Sequence, residues 1–213
     1  SAALMSSNKE IIVKEKSILK IDLSDLKIVE RTSENPLNNF LNSSGDVIEN
    51  IELKQVLDNI EKAKKDKNIK AIYINTSFVN AGLSQIEEVR NKLLEFKETD
   101  KPIIAYSEVY SQSAYYLASV ADEVYLHPEG MIEIKGLSAS IMFYKDLLEK
   151  LDLEIQIIRH GKFKSAVEPF ILNKMSKANR DQVKLFLNSI ADNIMDSIAC
   201  QRGLTLHKVQ KHA

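Results

Sequence analysis

KAIYIN, residues 70–75, is a short apolar run set between polar neighbours. That pattern fits a strand buried on both faces, and such strands belong to parallel sheets covered by helices. The flanks agree. On its N-terminal side Leu53, Val56, Leu57, Ile60 and Ala63 recur at helical spacing, with acids and lysines between them. On its C-terminal side Ile86, Val89, Leu93 and Phe96 share one face of a second helix over about residues 84–98. Pro102 opens the strand PIIAYSE, and SQSAYYLASVAD (111–122) reads as a helix whose small residues allow close approach to a sheet. EVYLH (123–127) reads as a strand, Pro128 and Gly130 as a turn, and MIEIKG (131–136) as another short strand. Alternation of strands and helices predicts an α/β domain with a largely parallel sheet.

Further out, ILKIDL (18–23) alternates well enough for a first strand, and RTSENPLNNFLNSSGD (31–46) has loop composition. A helix over about 141–151 precedes the expected strand LEIQIIRH (153–160). Ser176 is placed to cap a long helix whose stripe, Val183, Phe186, Leu187, Ile190, Ala191, Ile194 and Ile198, predicts a core face.

Composition excludes several functions. Lys plus Arg number 29 and Asp plus Glu 30, a formal net charge of −1, so no electrostatic footprint for nucleic acid exists. No GxGxxG or GxxxxGK[ST] element is present to cradle phosphates, and no nucleotide cofactor is expected. The four histidines show no HExxH or Cys/His spacing, so no metal is expected. The single cysteine, Cys200, falls in the apolar pattern of the long helix and reads as a small core residue. No apolar run reaches the roughly 18 residues that cross a bilayer. Residues 1–17 are expected to be a tail, with Ser1-Ala2-Ala3 a cloning remnant and the rest a linker after an upstream anchor.

Three segments resemble one family together: YSQSAYYLASVADEVYLHPEG (110–130), IKGLSASIMFYKDLLEKL (134–151) and RHGKFKSAVEPFILNKMS (159–176). In that order and at those spacings they resemble signal peptide peptidase A, or protease IV, and within it the N-terminal repeat of the two-repeat form. The resemblance implies a ClpP/crotonase-like spiral of β-β-α units over residues 18–213. It also implies peptide cleavage by a Ser–Lys dyad, with Lys164 of KSAVEPF as the general base. In the two-repeat form the serine comes from the C-terminal repeat. At the matching place this chain has Gln112 instead of the nucleophile, followed by Ser113 and Ala114 instead of glycines. The Gly-rich turn that faces an oxyanion in catalytic repeats is TSFVNAGLS (76–84) here, with one glycine, Gly82. This repeat is therefore expected to supply a base and no nucleophile, and to be inactive alone.

The resemblance further implies released signal peptides as substrates, a membrane-bound protein acting on the extracytoplasmic side, a serine-bearing repeat as partner, and a homotetramer. A non-catalytic assembly domain of the same fold is the alternative. A crotonase-type acyl-CoA enzyme is a third reading, which would require two oxyanion turns and a carboxylate base.

Lysine chemistry sets what Lys164 must do. A free lysine has a pKa of about 10.4, and a base at neutral pH needs it lowered by roughly 2–3 units, or about 3–4 kcal/mol. Glu168, one helical turn on, would oppose this if the segment were helical, and Pro169 argues against that geometry. In an extended segment Ser165 would face away from Lys164. Ser111 and Ser113 read as helix-start residues, Tyr115 and Tyr116 as packing residues, and His160 as structural.

Overall fold

The computed structural model describes residues 13–32, 49–156 and 165–211. They fall into two compact units, Ser1–Ile134 and Lys135–Ala213.

The first unit holds every strand among the described residues. β1 (Ser17–Ile21), β4 (Ile69–Ile74), β5 (Ile103–Tyr110) and β6 (Glu123–Ile132) form a four-stranded sheet in the order β1-β4-β5-β6. β2 (Leu26–Val29) and β3 (Glu49–Glu52) form a second, two-stranded sheet. All pairings are parallel. Helices α1 (Leu53–Lys65), α2 (Leu83–Lys97) and α3 (Gln112–Ala118) connect successive strands, as a parallel sheet requires. The α/β class read from the sequence is the one observed. The excursion expected over 31–46 lies mostly outside the described residues.

Burial explains why these segments fold as they do. β4 buries Ile69, Ala71, Ile72 and Ile74 on both faces. α1 buries Leu53, Val56, Ile60 and Ala63, and α2 buries Ile86, Val89, Leu93 and Phe96. Each large apolar side chain so buried contributes about 1.5–3 kcal/mol. Polar groups close the ends. Lys101 spends its ammonium on three carbonyls at the end of α1, those of Ala63 (2.8 Å), Lys64 (3.1 Å) and Asp66 (2.7 Å). A cation there also meets the negative end of the helix dipole. Arg90, buried on α2, donates to the Tyr116 carbonyl at 2.9 Å and the Ser119 hydroxyl at 3.1 Å, and its guanidinium lies 4.7 Å from the Tyr116 ring centre. It thereby pins α3 to α2.

Asp122 joins the turn after α3 to the start of β5. Its Oδ2 accepts from the Ile103 amide at 2.8 Å, and its Oδ1 pairs with Lys97 at 3.1 Å. Partial burial works against ionisation, yet the amide and the ammonium together hold the carboxyl below its ordinary value. A depressed carboxyl contributes stability above its unfolded pKa and loses it as pH falls through the folded value. Asp122→Asn is therefore expected to lower the urea midpoint at pH 7 and to matter progressively less below about pH 4. A gap between parent and variant that stayed constant down to pH 2.5 would show that ionisation has no part in it. The side chain is 42% exposed, so the effect is solvent-screened and modest.

β6 differs from the reading of two short strands with a turn between them. It is one strand that pairs with β5 on both sides of a bulge. Leu126 lies opposite Ser107 and Met131 opposite Val109, so four residues of β6, HPEG (127–130), stand against the single Glu108 of β5. Pro128, which has no N–H to offer a ladder, fits this unpaired stretch. Gly130 fits because the Glu108 carbonyl comes so close that a Cβ would lie 2.1 Å from it.

The second unit is helical: α4 (Lys145–Lys150), α5 (Glu168–Ile171), α6 (Lys177–Arg202) and α7 (Leu206–Lys211). The helix expected over 141–151 is shorter, and residues 153–156 of the expected strand are irregular. Residues 157–160 lie outside the described set. Ser176 caps α6 as predicted, its hydroxyl accepting from the Asn179 amide at 3.2 Å. The predicted core face of α6 is only half buried. Ile194 and Ile198 are covered, whereas Phe186 is 64% exposed. Cys200, expected in the core, is exposed as well. Periodicity marks an apolar face but not how far along the helix a neighbour covers it.

Candidate functional site

In the first unit the site is a strand-to-helix elbow. β5 ends at Tyr110, Ser111 caps α3, and Gln112 is the first helical residue. The Ser111 hydroxyl accepts from the Ala114 amide at 3.3 Å, the capping role expected of it. Its own amide donates to the Ser77 carbonyl at 3.0 Å, which ties the elbow to the loop after β4.

That loop is stitched down by hydroxyls. The Ser107 hydroxyl donates its one hydrogen to the Val109 carbonyl at 2.7 Å. The 2.7 Å contact between Ser77 and Ser107 must then carry the Ser77 hydrogen. The Ser77 amide donates to the Ser24 hydroxyl at 3.1 Å, and the Leu23 amide donates to buried Thr76 at 3.1 Å. Gly82 has φ −66°, a value open to any residue, and caps α2. Its amide donates to the Gln85 side chain at 2.9 Å. A Cβ there would meet only that side chain, at 3.5 Å. The one glycine of TSFVNAGLS thus opens a helix. At the elbow the loop presents its Ser77 carbonyl to the Ser111 amide.

Aromatic packing supports the elbow from beneath. Tyr110 is fully buried, its hydroxyl donates to the Tyr125 carbonyl at 3.2 Å, and burial pushes its phenol pKa well up. Tyr115 meets it edge-on at 5.9 Å, so the tyrosines pack, as expected. Gln112, the first residue of α3, carries a carboxamide, which cannot itself form an acyl-enzyme.

In the second unit, Lys164 and His160 lie outside the described residues, and Ser165 is the next residue described. Residues Ser165–Val167 form a 3-10 turn that runs into α5, so Glu168 is helical despite the proline after it. Ser165 is likewise in a turn and not in an extended segment. Proline is acceptable in a first helical turn, where its missing N–H has no partner to lose. Glu168, 6% exposed, accepts from the Ser176 amide (3.1 Å), the Ser176 hydroxyl (2.6 Å) and the Asn179 side chain (2.9 Å). Pro169 and Phe170 lean on Tyr144: the Pro169 carbonyl accepts from the Tyr144 amide at 2.7 Å, and the two rings stack at 6.0 Å. Sequence reasoning weighed Glu168 only against Lys164 and missed its place at the start of α6. The one available signal was an acid eight residues ahead of a capping serine.

A model of peptidase family S49 matches residues 95–213, which contain the elbow and KSAVEPF. Protease 4 of Salmonella typhi is 32% identical over 193 residues, covering 88% of this chain and 31% of that protein. Protease 4 of Haemophilus influenzae is 36% identical over 155 residues, covering 72% and 25%. This chain therefore spans about a third or less of those relatives. A solved enoyl-CoA hydratase/isomerase family protein from Silicibacter pomeroyi aligns over 94% of both chains at 13% identity, with a TM-score of 0.36, too distant a likeness to bear on function.

Proposed function

Because this chain belongs to peptidase family S49, we propose that it is the lysine-bearing half of a Ser–Lys endopeptidase whose nucleophile comes from another repeat of the same protein. The observation that carries this reading is the elbow. Gln112 stands at the first turn of α3, and Ser111 beside it is committed to the cap.

In this mechanism Lys164 is held as a neutral amine. It accepts the proton of the incoming serine hydroxyl as the oxygen attacks the peptide carbonyl. The resulting ammonium gives that proton to the leaving amine, and the acyl-enzyme forms. Water then attacks the ester, with the amine again accepting a proton, and the serine is restored. No histidine is needed. Substrates are apolar peptides, released signal peptides among them, bound as an added strand. The whole protein is membrane-associated, with its sites on the extracytoplasmic side, and assembles as a tetramer. Among the described residues no helix is long and apolar enough to cross a membrane.

The test is labelling with a fluorophosphonate, which reacts with activated serines. The full-length protein is expected to be labelled and to cleave apolar peptides. The 213-residue chain alone is expected to do neither. Labelling of the isolated chain at Ser111 or Ser113 would contradict the split dyad. A full-length protein that stayed unlabelled and inert would leave this repeat an assembly domain.

A further inference from the structure

β1 is an edge strand: β4 lies on one side of it, and among the described residues no strand lies on the other. We propose that this edge is where a second copy of the chain docks, the two β1 strands pairing antiparallel about a two-fold axis through Ile21. Such docking is independent of which residue serves as the base.

The backbone is set for a partner strand. Bonds towards β4 and the loop after it fall on odd residues. The Ser17 amide donates to the Asn68 carbonyl at 2.9 Å, the Ile21 carbonyl accepts from the Asn75 amide at 2.9 Å, and the Leu23 amide donates to the Thr76 hydroxyl at 3.1 Å. Successive residues of a strand turn their peptide groups to opposite edges. The amides and carbonyls of Lys20 and Asp22 therefore face outwards, and such a row is a template for another chain.

Charge selects the partner. LKIDL (19–23) has a matched character on either side of Ile21: leucine and lysine before it, aspartate and leucine after it. In an antiparallel pair centred there, Lys20 stands opposite the partner's Asp22, and Asp22 opposite the partner's Lys20. Both pairs are of the hydrogen-bonded kind, since these residues carry the outward peptide groups. Their side chains share one face of the strand and form a 3.0 Å ion pair within the chain. Across the axis the charges alternate in sign, which favours pairing, whereas like charges directly opposite oppose it. On the other face Leu19 meets the partner's Leu23. One patch thus complements itself, as a two-fold contact requires. An apolar peptide on this edge would bring no countercharge to either residue.

A cavity of about 110 Å³ opens at the same place. Leu19, Lys20, Ile21, Asp22 and Leu23 all line it, although consecutive side chains of a strand point to opposite faces. A space touched by five residues in a row meets the strand at its edge, and a second strand laid there covers it. The contact is small beside a standard interface of about 800 Å² per partner, so the expected dissociation constant is micromolar.

Sedimentation velocity on the full-length protein, at concentrations spanning the micromolar range, tests this. Lys20→Asp and Asp22→Lys each put like charges opposite one another on both sides of the axis. Each is expected to weaken self-association about 10-fold or more, so that the parent forms particles of twice the variant's mass. Mixing the two variants supplies the second arm. Acid then faces base at both positions, but only between unlike chains, and the parental mass is expected to return. That recovery requires contact between chains and does not follow from the ion pair within one chain. The double exchange, Lys20→Asp with Asp22→Lys, is expected to associate like the parent. Single variants that keep the parental mass would overturn the proposal. So would a mixture that stays at the mass of its components, or a double exchange that fails to associate while its Tm matches the parent's.

Discussion

Replacing Lys164 by methionine in the full-length protein is expected to lower kcat by roughly three orders of magnitude or more, with KM changed only a few-fold. Methionine keeps the length and most of the volume of the lysine stem, so packing is nearly conserved. What it lacks is a lone pair basic enough to take the serine proton, and positioned general bases contribute about 10²–10⁴ in rate. Because the nucleophile cannot form without that transfer, the loss falls at the upper end of the range. Lys164→Arg sharpens the test. Arginine retains the charge and the reach but stays protonated at any working pH, so it is expected to be equally inactive. An arginine variant with substantial turnover would mean the position needs a cation and not a base. Steady-state kinetics on an apolar peptide separates these outcomes.

Gly130→Ala is expected to destabilise the first unit by about 3 kcal/mol or more, a Tm loss of roughly 6–12 °C. The new methyl would sit 2.1 Å from the Glu108 carbonyl oxygen, 2.9 Å from that of His127, and 3.0 Å from a methyl of Leu126. The first two are backbone atoms, which no rotamer change can move. Relief requires β5 and β6 to separate at the bulge. Their pairings Val109 with Met131 and Tyr110 with Ile132 then suffer, as does the bond from the Glu133 amide to the Tyr110 carbonyl. Since Tyr110 is the residue before the elbow, disorder there spreads to Ser111 and Gln112. Thermal unfolding followed by circular dichroism checks this, and a Tm within about 2 °C of the parent would show that the approach is not tight.

Local periodicity carried far in this chain. β4, α1 and α2 were legible because each repeats one pattern over its whole length and buries the face that pattern marks. The caps of α3 and α6 were legible because a serine at the first turn has one dominant use there. The features that escaped depend on distant partners. Pro128 and Gly130 look like a turn in one dimension and become a bulge only because β5 runs alongside. Phe186 and Cys200 carry the apolar pattern but nothing in the sequence says where the covering neighbours of α6 stop. Glu168 follows the same rule: its partners, Ser176 and Asn179, are close in sequence, yet their convergence depends on the turn between them. Gln112 was placed by the family's pattern and opens α3, while Lys164 rests on the motif alone.

The sheet order has a kinetic consequence. β1 pairs with β4, Ile18 opposite Ala71, with the whole second sheet and α1 between them in the chain. Closing so long a span grows in entropic cost only logarithmically, about 0.6 kcal/mol for each doubling, so the intervening stretch can lengthen at little equilibrium penalty. Assembly speed responds differently, since it falls as sequence separation between partners rises. β1 must therefore wait, apolar side chains bare, until β4 has been made.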